Sequence, residues 1–190
     1  MDSVASEGVL PEDYDWQPVI NVFSLGAKVK PNDARLRFEL GRLEWWQAQY
    51  GQLSAQQRRD HLQYAANSLQ EVTKLRPLWG RAWVELANIQ FQQKKYLDAR
   101  QSLLHGMSLA KYDVLSHWMI YWTGFGIWGL LTPSEQDRFM EVVQFAVEYR
   151  YVDELLEAAV ANYREALIEP LLHNNAKATQ KLKQLLKARG

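Results

Sequence analysis

The sequence predicts an all-α fold, a right-handed α-solenoid superhelix of about eight helices stacked as hairpins. Three observations carry this expectation. Gly (10) and Pro (6) are sparse among 190 residues and β-branched residues seldom alternate, so the period-2 signature of strands is missing. In Pro77–Lys111, the residues Trp83, Leu86, Ala87, Ala99 and Leu103 place large and small side chains at the spacings of a helical hairpin. The Leu40-Gly41 step, 46 residues before Leu86-Ala87, repeats the pattern, so the hairpin has a neighbour against which to bury the face that one repeat leaves uncovered.

Each element follows in order. Val19–Val29 is apolar at helical spacing, with Pro18 at its start and Pro31 beyond its end, and reads as the second helix of an incomplete hairpin. Asn32-Asp33 offers side-chain oxygens to cap the next helix, about Ala34–Tyr50. Gly51–Asp60 absorbs a surplus of 12 residues over a 34-residue repeat, as an extended loop or as extra helical turns. Ala65-x3-Leu69-x2-Val72 then recovers the pattern up to Pro77. Trp83-x2-Leu86-Ala87-x2-Gln90 followed by Ala99-x3-Leu103 resembles a tetratricopeptide (TPR) unit, W-x2-L-G-x2-Y then A-x3-F, with Ala87 for Gly and Gln90 for Tyr. Trp83 is expected to act as a core wedge.

Val114–Leu131 reads as one buried apolar helix rich in Trp and Gly. As a membrane span it is barely long enough, carries His117 and Thr123, and is interrupted by Gly124, Gly126 and Gly129. Thr132-Pro133-Ser134-Glu135 is a start signal, with a Thr cap, Pro at the first helical position and Glu reaching back. The helix it opens buries Phe139, Val142, Val143 and Ala146. Asp153–Ile168 is expected as a further helix with Leu155, Leu156, Ala159, Val160 and Tyr163 on one face, stopped by Pro170. Asn174 or Asn175 caps a last helix through Leu186, whose lysines form the polar outer side of a terminal repeat. Residues 1–10 are expected as a disordered or expression-derived N-terminus, and 11–190 as a single TPR-like domain with degenerate C-terminal repeats.

Composition narrows the function. Lys+Arg and Asp+Glu balance at 22 each, so no basic field argues for nucleic acid. Cysteine is absent, which excludes disulfides, a thiolate nucleophile and Cys-based zinc sites. The four histidines, His61, His105, His117 and His173, have no metal-ligand spacing, and no phosphate loop or nucleophile elbow occurs. No catalytic residue, metal or cofactor is expected. Eight Trp read first as packing bulk and second as a stacking surface.

Beyond the generic repeat, the chain resembles the VpsP-like TPR proteins of bacterial exopolysaccharide gene clusters. The residues that carry this are Asp15-Trp16, Val29–Asp33, Leu40–Trp45, Leu75-Arg76-Pro77, Arg81–Ala87 and Leu131-Thr132-Pro133. The resemblance implies a scaffold that docks a protein partner of a polysaccharide synthesis or secretion complex. It also implies a periplasmic helical domain on an inner-membrane anchor. Met1–Gly8 has neither a basic start nor an apolar run, so such an anchor is expected upstream; a chain lacking it is expected in the cytoplasm, as a peptide-binding adaptor.

The binding site is expected on the concave surface, lined by the first helix of each hairpin. Counted from Leu40 and Leu86, the outward residues are Arg35, Phe38, Arg42 and Trp45, then Arg81, Val84, Asn88 and Phe91; Leu115, Trp118, Trp122 and Phe125 follow on the next helix. Asn88 with Arg81, Arg42 and Arg35 matches part of a carboxylate clamp. The Trp and Arg side chains are also the types that hold an anionic polysaccharide, rings on C–H bonds and guanidinium groups on hydroxyls or carboxylates. The plainer reading of these arginines is a solvated face packed along aromatic rings.

Overall fold

The computed structural model describes residues 16–149 and 152–189; the expectation for residues 1–10, and Asp15 of the Asp15-Trp16 motif, lie outside the described residues. Among the described residues the fold is all-α, 83% helix with no strand. Among the described residues there are ten α-helices, against the eight or so expected, and they fall into two compact units divided between Pro77 and Leu78.

In the first unit, α1 (Gln17–Val29) starts with Pro18, where the missing N–H leaves no bond unmade. Its buried Trp16 and Ile20 meet Leu43 of α2 (Ala34–Tyr50), with Leu40 and Trp46 packed around them and the Trp16 and Trp46 ring centroids 5.2 Å apart. Asp33 caps α2 as the sequence predicts, its Oδ1 accepting from the Arg35 and Leu36 N–H groups at 3.0 and 3.2 Å. Ser54 opens α3 (Ala55–Leu75) in a reciprocal box with Gln57. Ten residues of the surplus of twelve are helix: α2 and α3 run 17 and 21 residues, where the next hairpin has 13 and 15.

Leu69 of α3 lies against Gly41, where an added Cβ would stand 3.1 Å from the Leu69 Cγ. A polar link crosses this hairpin from Glu44 Oε2 to His61 Nδ1 at 2.5 Å. Burial pushes the Glu44 carboxyl above its ordinary value, while the His61 contact pulls the other way. The Arg58 guanidinium donates to the Ala48 carbonyl near the end of α2.

The second unit begins with α4 (Gly80–Gln92) and α5 (Tyr96–Ala110), joined by a turn in which Lys94 takes φ 62°. The two helices touch at Gly106, where a Cβ would stand 2.7 Å from Val84 Cγ2 and 2.9 Å from the Val84 backbone N. Trp83, expected as a core wedge, is instead half-buried, its ring edge-on to His105 at 4.4 Å. The wedges are Leu86 and Leu103, at 2% and 0% exposure.

The stretch Val114–Leu131 is shorter as a helix than expected: α6 (Val114–Gly126) ends at Ile127 and a 3₁₀ turn covers Trp128–Leu130. Among the described residues, no helix is long and apolar enough to cross a membrane. The Phe139 ring of α7 (Pro133–Glu148) lies so close on Gly124 that no side chain fits there, and Phe125 meets the same ring edge-on at 5.0 Å.

The Thr132 start signal forms as read, the Thr132 N–H donating to Glu135 Oε2 at 2.8 Å. Glu135 also takes two bonds from Arg100 of α5, at 3.0 and 2.5 Å, which ties α5 to α7. Burial raises the Glu135 carboxyl, but the Arg100 and Thr132 bonds outweigh it and hold the group below its usual value.

The helix expected over Asp153–Ile168 breaks into α8 (Asp153–Ala161) and α9 (Glu165–Ile168). Tyr163 takes φ 56° at the break and is 71% exposed, not on the apolar face predicted for it. Arg189, at the far end of α10 (Ala176–Arg189), caps the break: it donates to the Val160 carbonyl at 2.7 Å, pairs with Glu165 and lies 4.5 Å from the Tyr163 ring centroid. Asn175 caps α10, its Oδ1 accepting from Ala178 N–H at 3.0 Å.

Two outcomes are expected. Gly124→Ala should destabilise the second unit by about 1–3 kcal/mol, since Phe139 must leave its rotamer or move backbone; chemical denaturation measures this. A carboxyl whose folded pKa lies below its ordinary value near 4.5 stabilises the fold above that pH, and the stabilisation fades as pH falls through the lowered value. Glu135→Gln should therefore reduce the melting temperature at neutral pH and flatten the acid limb of the stability curve, as read from thermal melts across that range.

Candidate functional site

The candidate surface residues fall in both units. In the first, Arg35 is exposed and Trp45 half-buried. Arg42 lies over the Trp46 ring at 4.9 Å and the Phe38 ring at 5.8 Å, and pairs with Glu39 at 3.3 Å. Its charge is thus spread over two rings and offset by a carboxylate one turn away. Phe38, expected to face outward, is 3% exposed: its ring is a floor for Arg42, not a surface for a ligand.

In the second unit, α4 carries a polar row at Arg81, Glu85, Asn88 and Gln92. Arg81 Nε donates to Glu85 Oε1 at 3.0 Å, and Gln92 Nε2 donates to Asn88 Oδ1 at 2.8 Å. Asn88 Nδ2 reaches Thr123 Oγ1 of α6 in a long bond of 3.4 Å. Asn88 is therefore a buried hub between two helices rather than half of a carboxylate clamp. Val84 and Phe125, also expected outward, are buried as well. Val84 meets α5 at Gly106, and Phe125 points into the core against Phe139. Counting along one hairpin missed this because α4 packs against α5 and α6 together, which covers two of its faces.

Phe91 is half-buried and sits on Gly126, its ring so close that a Cβ there would collide with it; its centroid is 5.8 Å from that of Tyr96. On α6, Leu115, Trp118 and Trp122 recur at i, i+3 and i+7, which sets them on one side of the helix. Leu115 is 59% exposed, while both Trp side chains are partly buried with their inner parts packed on the core. Of the four positions expected to face outward on this helix, these three are the ones that are not fully buried. Sequence reading did not single out Glu85, Gln92 and Thr123 as polar partners; Glu85 and Gln92 pair within one helix turn, while Thr123 lies 35 positions from Asn88, beyond the reach of a local motif.

Among the described residues, no group of three or more His, Asp or Glu side chains could hold a metal ion. Two histidines bond backbone carbonyls, His117 to Lys111 at 2.9 Å and His173 to Pro170 at 3.1 Å. The Tyr121 hydroxyl is buried without a hydrogen-bond partner, and burial, reinforced by the Glu154 charge, pushes its pKa upward, away from any proton-transfer role near neutral pH. A cleft of about 700 Å³ opens among α7, α8 and the start of α10, lined by Glu148, Asp153, His173, Asn175 and Lys181. Its Lys181 is held by Asp153 and Glu157, each at 3.1 Å, so the cleft offers little uncompensated charge.

Asn88→Ala should lower stability by about 1–3 kcal/mol, because it strands the Thr123 and Gln92 polar groups. Urea unfolding tests this against a ligand role, in which stability would stay within about 0.5 kcal/mol.

No protein-family model, no curated protein and no solved structure matches this chain.

Proposed function

We propose that the chain is a non-enzymatic protein-interaction scaffold, a TPR-like α-solenoid that grips a protein partner along α6. What carries the reading is the Leu115–Trp118–Trp122 row. Two large aromatic side chains are partly buried and packed on the core, while on α4 Arg81 is paired with Glu85 and Asn88 with Gln92. Pre-anchored Trp side chains lose little freedom on binding, and such residues dominate interface energetics. The sequence resemblance supplies the setting, a polysaccharide synthesis or export apparatus with the domain in the periplasm on an inner-membrane anchor.

Co-purification with the native full-length protein from envelope fractions should recover an envelope-biosynthesis partner. The double variant Trp118→Ala, Trp122→Ala should cut the recovery by more than about tenfold while leaving the helical circular dichroism unchanged. Recovery that is unaffected by the double variant would overturn the assignment of this row.

A second reading, direct binding of an anionic polysaccharide, rests on the Arg42 guanidinium held over the partly buried Trp46 ring at 4.9 Å. Titration with anionic oligosaccharides should then give a saturable change in Trp fluorescence that Arg42→Ala removes. A flat titration rejects this reading and leaves the scaffold reading standing.

A further inference from the structure

Three helix termini meet at one end of the first unit: α1 stops at Val29, α2 starts at Ala34 and α3 stops at Leu75. The start of α2 and the end of α3 enclose a shallow groove of about 520 Å³, lined by Asn32, Asp33, Ala34, Arg35, Leu75 and Arg76. Both stopping helices run out on the same pattern, Lys28-Val29-Lys30-Pro31 and Lys74-Leu75-Arg76-Pro77, an aliphatic residue between two cations. Arg35 and Arg37 add to these from the first turn of α2. Within about one turn of the three termini, these six cations face two carboxylates, Asp33 and Glu71. The charge is local, since the 22 basic and 22 acidic residues of the whole chain balance.

The fold accounts for only part of this charge. Lys28 and Lys74 sit in last turns, where a cation complements the helix dipole, and Lys74 donates to Glu71 at 2.7 Å. Arg37 Nε donates to the Pro31 carbonyl at 2.6 Å. Arg35 sits in a first turn, where the dipole disfavours positive charge, and Glu39, one turn on, pairs with Arg42. Among the described residues, the side chains of Lys28, Lys30 and Arg35 have no hydrogen-bond or ion-pair partner. The Asp33 carboxylate already takes the N–H groups of Arg35 and Leu36, so what the groove offers an anion is side-chain charge.

We propose that this end of the first unit is a docking surface for an anionic lipid bilayer, with Lys30 and Arg35 on headgroup phosphates and Val29 and Leu75 entering the headgroup layer. The interleaving of charge with aliphatic side chains selects this partner among polyanions. Val29 is 71% and Leu75 38% exposed, each between two cations, and such a tip gains only from a partner with an apolar layer beneath its charge. Among the described residues no aromatic ring lines the groove, so it lacks the stacking platform of a nucleic-acid site. Charge supplies most of the binding. Each basic residue held near an anionic surface strengthens attachment about fivefold, so the surplus of cations here gives on the order of several hundredfold over a neutral bilayer.

The purified chain should co-sediment with vesicles of phosphatidylcholine holding about a third phosphatidylserine, and not with phosphatidylcholine alone. Raising the salt from about 0.05 to about 0.5 M should release it. Arg35→Glu reverses one charge and should weaken binding more than about tenfold. The same change should leave the melting temperature equal or higher, because a first-turn carboxylate suits the helix dipole; an arginine with a structural role would lower it. Val29→Ser should weaken binding several-fold without altering the salt dependence. Arg59→Gln, about 24 Å from Leu75 along α3, should change nothing. Failure to bind the anionic vesicles, equal binding to neutral ones, or binding that Arg35→Glu leaves intact would overturn the proposal. So would a hexaglutamate peptide or an oligogalacturonate that binds through Arg35 while the vesicles do not. None of these residues lies on α6, so every outcome is independent of the partner reading there.

Discussion

Helix α4 has to be covered on more than one side at once, and the second unit is arranged around that constraint. Ala82, Val84, Leu86, Ala87 and Ile89 are all buried, too wide a set for one neighbour to hide. Helix α5 covers the Val84 side by coming within backbone distance at Gly106. Helix α6 covers the Asn88 side and supplies Thr123 to the polar groups there. Each fully buried aliphatic side chain is worth about 1.5–3 kcal/mol, so the hairpin gains by having the third helix in place.

The same logic runs on into α6 and α7. These two helices are held apart by rings, Phe139 between Phe125 and Trp128 at 5.0 and 5.9 Å. The ring reaches its seat because Gly124 has no side chain, and the 3₁₀ turn after Gly126 carries the chain across the gap to Thr132. Arg100 then fastens the start of α7 to α5 through Glu135, so one carboxylate serves as helix cap and inter-helix tie. The Trp118 and Trp122 edges on α6 are what this packing leaves at the surface.

The apolar faces that remain uncovered are as informative as those that are buried. On α1 the core takes one side and leaves a second apolar stripe in water; on α6 the core takes the inner parts of two Trp side chains and leaves Leu115 out. Both arise because a stacked-helix fold buries each helix only where a neighbour exists. Much of this was legible beforehand. The repeat spacing located α2 to α5, and of the four positions read as outward on α6, Leu115 is exposed and Trp118 and Trp122 are partly buried. Phe38, Val84, Asn88 and Phe125 are buried although read as outward, since periodicity from one hairpin describes one covered face and says nothing of a second.

Local signals in the sequence were enough for the helix starts at Asp33, Thr132 and Asn175, because a cap bonds N–H groups only two or three residues away. They were enough, too, for the all-α class, which rests on periodicity within a single helix. Tertiary structure alone decided the break after Ala161, where Arg189 arrives from a distant helix to hold the carbonyl of Val160 and the ring of Tyr163. It alone also decided that the Asn88 side chain turns inward, since the partner that satisfies it lies 35 residues along the chain, where no short-range pattern reaches.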